Sequence, residues 1–353
     1  MFNGSDMSHP LTCLRNNAAA ISVAAIVILF GTVLDSLGAI AFGLELDWFS
    51  SLPIYLGMFW LTLSLLFGML RDRASSDVSI LQISTWQSSF SRHVPVSRIL
   101  NYLCVALLLS PFMSTFVSLK RSIPFWRPFG WDRAFFNLDR VLHGGHSPWE
   151  LMDAVFPWPE FTIFIDQVYY LWFPVVILTV TWFAWTPASQ IRSRFFVTYF
   201  VSWSLLGIGL ATATSSAGPC YYRYVVPGPD PYSGLMEHLR LTSQAHGLTA
   251  LRVQDYLWTG YLTNEYPIEG IAAMPSMHVA MAVLFSFAGF QIHRFLGYAY
   301  LSFLGLILVG SVHLGWHYAV DGYVSVLLVA GIWYLTGRFH GTNESEHANR
   351  GQI

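Results

Sequence analysis

Uncharged apolar runs long enough to cross a bilayer recur along this 353-residue chain, and no other feature narrows its fold so sharply. A helix rises 1.5 Å per residue, so about 20 apolar residues span the roughly 30 Å of hydrocarbon. Eight such runs occur, at about 18 to 43, 51 to 70, 99 to 119, 161 to 184, 195 to 214, 271 to 290, 295 to 314 and 317 to 336. Inside lipid every backbone N–H and C=O needs an internal partner, and a helix provides it within one segment. The expectation is an all-α integral membrane protein of about eight transmembrane helices. Composition agrees: 54% of residues are apolar and 11% charged, against about 25% charged in soluble domains. A net charge of −2 without a basic run excludes nucleic acid as a partner. Cys13, Cys104 and Cys220 lie far apart in sequence and are expected as free thiols.

Eight spans put both termini on one face, together with the connections that carry Arg71, Arg73, Arg92, Arg98, Arg192, Arg194 and Arg294. Acidic residues fall mostly in the opposite segments, 120–160 and 215–270. Arginine-rich loops stay inside, so the termini read as cytoplasmic. The first run extends well beyond a signal-peptide core and counts as a span. Residues 120–160 mix Phe135, Phe136, Leu138, Val141 and Leu142 with Arg133, Asp139 and Arg140, the pattern of a helix lying at the outer interface. The 215–270 segment holds the Pro227-Gly228-Pro229-Asp230-Pro231 turn cluster and is too long for a plain connection, so it is expected to cover an active site.

Polar side chains within a membrane are costly, and here they converge on one face. Met274-Pro275-Ser276-Met277-His278 opens the sixth span, while His313, His317 and Asp321 mark the junction of the seventh and eighth. Lys120, the only lysine in the chain, and Arg127 stand at the outer end of the third. His317 and Asp321, four apart, are expected on one face of the last helix, the carboxylate holding one ring nitrogen and leaving the other as nucleophile or base. His278 would act as general acid. Ser276 and nearby N–H groups would hold phosphate oxygens, and Lys120 and Arg127 would balance phosphoryl charge.

In order and on one face, Lys120-x6-Arg127-Pro128, Pro275-Ser276-x-His278 and Gly315-x-His317-x3-Asp321 resemble the type-2 phosphatidic acid phosphatase superfamily of lipid phosphatases and phosphotransferases. The resemblance implies a six-helix catalytic core at 99–336, preceded by an N-terminal region, 1–98, with two extra spans, and followed by a polar cytoplasmic tail, 337–353. It implies a lipid phosphate substrate in the bilayer and no metal or other cofactor. His317 would form a phosphohistidine, Asp321 would orient it and His278 would protonate the leaving group. Ile123-Pro124, Trp131-Asp132, Leu138-Asp139-Arg140-x-Leu142-His143-Gly144-Gly145 and Gly218-Pro219-Cys220-Tyr221-Tyr222 are similar to the branch that includes fungal inositol phosphorylceramide synthase and its bacterial relatives. That branch implies transfer of a head-group phosphate to an alcohol at the outer face of a bacterial inner membrane.

In one respect the chain departs from the pattern. The phosphatase branch begins its third motif with Ser-Arg, and the equivalent positions here are Gly310 and Ser311. Arg223, Arg252 or protonated His313 is expected to take the place of that arginine. Two other functions fit the same residues: a metal-dependent membrane hydrolase with His278, His313, His317 and Asp321 as ligands, and a transporter with a polar relay. Gly315 weakens the helical spacing the metal site needs, and no paired repeat favours the transporter.

Overall fold

The computed structural model describes residues 10–38, 40, 48–75, 94–263 and 270–350. Helices α1 (Pro10–Ser36) and α2 (Trp48–Ser75) precede α3 (Val96–Trp126). A short pair, α4 (Asp132–Leu142) and α5 (Pro148–Val155), leads to α6 (Pro159–Tyr170) and α7 (Trp172–Trp185), which run on as one apolar segment. Helix α8 (Gln190–Ser204) continues through a π-helical turn, Leu205–Leu210, to Ala213. Helices α9 (Ser233–His246) and α10 (Thr249–Thr263) follow, and then α11 (Met277–Ile292), α12 (Arg294–His313) and α13 (Ala319–Arg350). Among the described residues six helices are long and apolar enough to cross a membrane, and Met277–Ile292 is a shorter apolar one. The chain is an all-α integral membrane protein.

Helix starts follow local chemistry. Pro148 and Pro159 occupy first-turn positions, where a missing N–H costs nothing. Ser189 accepts the Arg192 N–H and Ser276 that of Val279, so each caps its helix. The sixth apolar run was expected to be helical from 271, but α11 begins only at Met277. Pro275 removes a donor and keeps the residue before it extended, and Ser276 then supplies the cap.

The core is built on aromatic pairs. Phe112 and Phe116 of α3 meet Phe200 and Trp203 of α8 edge to face, with centroids 4.8 and 4.6 Å apart. Phe183 of α7 stacks on Phe195 of α8 at 3.9 Å. Helix α11 is apolar all round and almost wholly buried, packed against α8, α12 and α13, which is what such a helix requires. Helix α4 is amphipathic, as expected. Asp132, Phe135 and Asp139 are buried, whereas Val141 is 77% and Leu142 54% exposed. Cys104, expected as a free thiol, is disulfide-bonded, because helices far apart in sequence lie side by side; Cys220 is free and buried.

Candidate active site

Three segments, 215–222, 270–276 and 311–321, knit together where α11, α12 and α13 meet. The Ser216 carbonyl accepts the Ala273 N–H at 2.9 Å and its hydroxyl accepts that of Met274 at 3.2 Å. The Gly315 carbonyl accepts the Cys220 N–H at 2.9 Å. Gly218 has φ 104° and lies so close to the next segment that a Cβ there would come within 2.7 Å of the Trp316 carbonyl. Gly315, at φ 74°, ends α12 and turns the chain into α13.

His317 stands in that turn, two residues ahead of α13 rather than on it as the spacing of four had led us to expect. Its N–H donates to the Ser311 carbonyl at 2.9 Å. Asp321, in the first turn of α13, points back: its Oδ2 lies 3.3 Å from His317 Nδ1 and accepts the Tyr318 N–H at 3.1 Å. The pairing therefore survives by a different geometry. Burial lowers the His317 imidazole to about 3, with the nearby Ala273 carbonyl opposing and the charge of Lys120 adding to the fall. His317 is neutral at physiological pH, as a nucleophile must be.

His278, in the first turn of α11, faces it with ring centroids 6.3 Å apart. Its imidazole is held between Tyr169 at 4.6 Å, nearly parallel, and Trp172 at 4.2 Å, with Phe173 edge-on at 5.9 Å. Trp172 Nε1–H also donates to the His278 carbonyl at 3.0 Å. Both histidines line a cavity of about 110 Å³ together with Lys120, which is the one formally charged side chain among the described residues lining it. Phe116, Trp203 and Tyr221 give the cavity an apolar wall. Val253 and Leu257 bring α10 of the 215–270 segment against it.

The structure leaves other expected residues apart. Arg127 is exposed at the end of α3 and does not line the cavity. Ser276 is buried as the α11 cap, outside the lining. Arg223 is exposed, its guanidinium 4.6 Å from the Tyr224 ring, and exposed Arg252 bonds Thr249 within its own helix. His313 is buried but turned away: its Nε2 lies 2.8 Å from Thr162 Oγ1, which also meets His238 Nε2 at 2.9 Å. None of the three candidates for the missing arginine reaches the cavity. Among the described residues no three of His, Cys, Asp and Glu are grouped to hold a metal ion.

Several contributors escaped the sequence reading. Tyr169 and Trp172 carry no signal that separates them from the other aromatics of a chain with 14 Trp and 17 Tyr. Gly207, in the π-helical turn, lines the cavity and lets the Phe116 ring approach; π-turns inside helices recur at functional sites. Asp166, outside the cavity lining, accepts the Thr249 and Ala250 N–H groups at 2.9 and 2.8 Å and so caps α10 from a distance. Buried Asp132 and Asp139 were quoted only as parts of motifs. Their signal was a spacing of seven on a short amphipathic helix, which puts both on one face.

A protein-family model described as PAP2 superfamily matches residues 133–335, more than half of the chain. No curated protein and no solved structure matches.

Proposed function

The chain belongs to the PAP2 superfamily, whose members are typically lipid phosphatases, and from that premise we propose a lipid phosphoesterase that works through a phosphohistidine at His317. One observation carries this reading: an Asp-held neutral histidine and a second histidine face each other across a cavity holding a single lysine. The ring nitrogen of His317 that is not held by Asp321 attacks phosphorus, and the P–O bond to the leaving alcohol breaks. His278, entering the step as imidazolium, gives that oxygen its proton and is left neutral. Asp321 accepts the Nδ1–H and stabilises the positive charge that develops on the ring. Water or an alcohol then attacks phosphorus, His278 takes its proton back, and the P–N bond breaks to regenerate His317. Lys120 balances the negative phosphoryl oxygens throughout.

We place the site at the outer face, with cytoplasmic termini, on the strength of the arginine-rich connections. Transfer to an alcohol rather than water is favoured by the absence of the third-motif arginine at Ser311 and by the motifs at 138–145 and 218–222. The apolar aromatic cavity wall suits a lipid chain beside the phosphate.

The test is phosphate release and head-group transfer by the purified protein in excess chelator, using phospholipids and polyprenyl diphosphates as donors and His317→Ala as blank. Turnover in chelator that vanishes in the variant, with acid-labile phosphate on the wild-type protein, is the expected result. Activity returning only with a divalent cation would overturn the mechanism.

A further inference from the structure

Helix α4 lies outside the membrane-spanning bundle and neither of its buried carboxylates lines the cavity, yet both reach the turn that carries His317. Asp132 and Asp139, each 1% exposed, stand two helical turns apart on one face. Asp139 Oδ2 accepts the Ala319 N–H at 2.8 Å and its Oδ1 accepts that of Val320 at 2.9 Å, across about 180 residues of sequence. Those are the first two residues of α13, so Asp139 caps from outside the helix on which Asp321 sits. Asp132 Oδ1 accepts the Tyr318 hydroxyl at 2.9 Å and the Gly218 N–H at 2.8 Å, and both its oxygens lie 3.0 Å from the Ala217 nitrogen. Residues 318, 319 and 320 are thus gripped by α4 between His317 and Asp321. Tyr318 both donates its backbone N–H to Asp321 and rests its side chain on Asp132.

We propose that Asp139 and Asp132 are positioning residues for phosphoryl transfer, α4 acting as a brace that sets where the His317 ring and the Asp321 carboxylate stand. The inference rests on the reading of His317 as the nucleophile. A carboxylate that grips two N–H groups fixes both position and rotation of the helix start, which a single bond cannot. In-line attack on phosphorus is sensitive to such placement: a shift of about 1 Å costs on the order of 100-fold.

Asp139→Asn tests it. The amide keeps one acceptor but turns an NH2 donor against the second backbone N–H and removes the charge at the helix start. Asp166→Asn is the matched comparison, since it breaks the same kind of two-bond grip at Thr249 and Ala250 of α10, away from the nucleophile. Asp139→Asn is expected to lower kcat about 10- to 100-fold with KM within about twofold, and to slow single-turnover formation of phosphohistidine equally. Asp166→Asn, brought to equal thermal stability by choice of temperature, is expected to alter KM and leave phosphohistidine formation at saturating lipid within about twofold. Tyr318→Phe, which removes one hydroxyl from Asp132 and no backbone contact, gives a second reading if Asp139→Asn does not accumulate; a fall in kcat of about threefold or more is expected. Phosphohistidine formation at the wild-type rate in Asp139→Asn, or slowing no greater than that in Asp166→Asn, would overturn the proposal; if Asp139→Asn does not accumulate, an unchanged kcat in Tyr318→Phe would overturn it. Turnover surviving in His317→Ala would instead remove the nucleophile reading itself, so the two failures are separate results.

Discussion

His317 is neutral because it is buried, and that has a consequence for stability as well as for attack. Its folded value of about 3 lies below the roughly 6.5 of an unfolded histidine. Between those values the unfolded chain binds a proton that the folded one does not, so stability rises with pH across the window and is complete above it. As pH falls from about 6.5 towards 3, the wild type should therefore lose thermal stability faster than His317→Gln. Parallel pH profiles for the two proteins in detergent would contradict a buried neutral ring. His278 invites a different test. Tyr169 lies nearly parallel against its face, and an aromatic pair is worth about 0.5–1.5 kcal/mol beyond its buried area. Tyr169→Leu should cost up to about tenfold in kcat, with Tyr169→Phe near wild type, and equal losses in both would shift the role to the phenol oxygen. At this scale the sequence exposed His278, His317, Asp321 and Lys120, since polar groups inside apolar runs are too costly to be idle. It could not sort Arg127, Arg223 and Arg252, because an arginine outside the apolar spans reads the same whether it faces the site or the solvent.

Between elements, the site depends on close approach of backbone to backbone. Gly218 meets two demands that a side chain violates, a φ of 104° and a Cβ position 2.7 Å from the Trp316 carbonyl. Gly218→Ala should therefore destabilise the fold by about 1–3 kcal/mol and displace the His317 turn. The measured result should be a lower melting temperature together with a fall in kcat; a loss of stability at unchanged kcat would mean that segment 215–222 does not set the turn. Spans were legible as elements because twenty uncharged apolar residues leave little else to form. Their ends were less so: α11 and α13 begin later than the apolar runs at 271 and 317, where Pro275 and Gly315 interrupt the helical pattern. The amphipathic face of α4 was visible, with Leu138, Val141 and Leu142 outward, but its grip on α13 was not. Hydrogen bonds that join positions 139 and 319 have no periodicity to betray them.

For the molecule as a whole, the question is how the N-terminal helices, which precede the matched residues 133–335, belong to the rest. They are not loosely attached. Helix α1 packs along α3 and α8, and Gly31 sits so tightly against Thr115 that a Cβ there would overlap its methyl group. Trp60 and Ser64 of α2 bond Thr181 and Trp185 of α7 at 3.0 and 2.8 Å. At the end remote from the cavity, Arg192 is 1% exposed, and its guanidinium donates to Asn17 Oδ1 at 2.6 Å, to the Asn101 carbonyl at 2.9 Å and to the Phe183 carbonyl at 3.0 Å. One cation thus ties α1, α3 and α7 to α8, and its position in an arginine-rich connection disguised that role as a topology signal. Such a charge can remain buried only while its donors are satisfied. Asn17→Ala should leave one Nη1 donor without its acceptor and cost about 1–3 kcal/mol, whereas Asn17→Asp keeps an acceptor and should cost less. Thermal unfolding in detergent measures the difference, and KM should be the same in all three proteins because Asn17 is distant from the site. Equal stability of Asn17→Ala and wild type would mean that α1 rests on α3, α7 and α8 without holding them together.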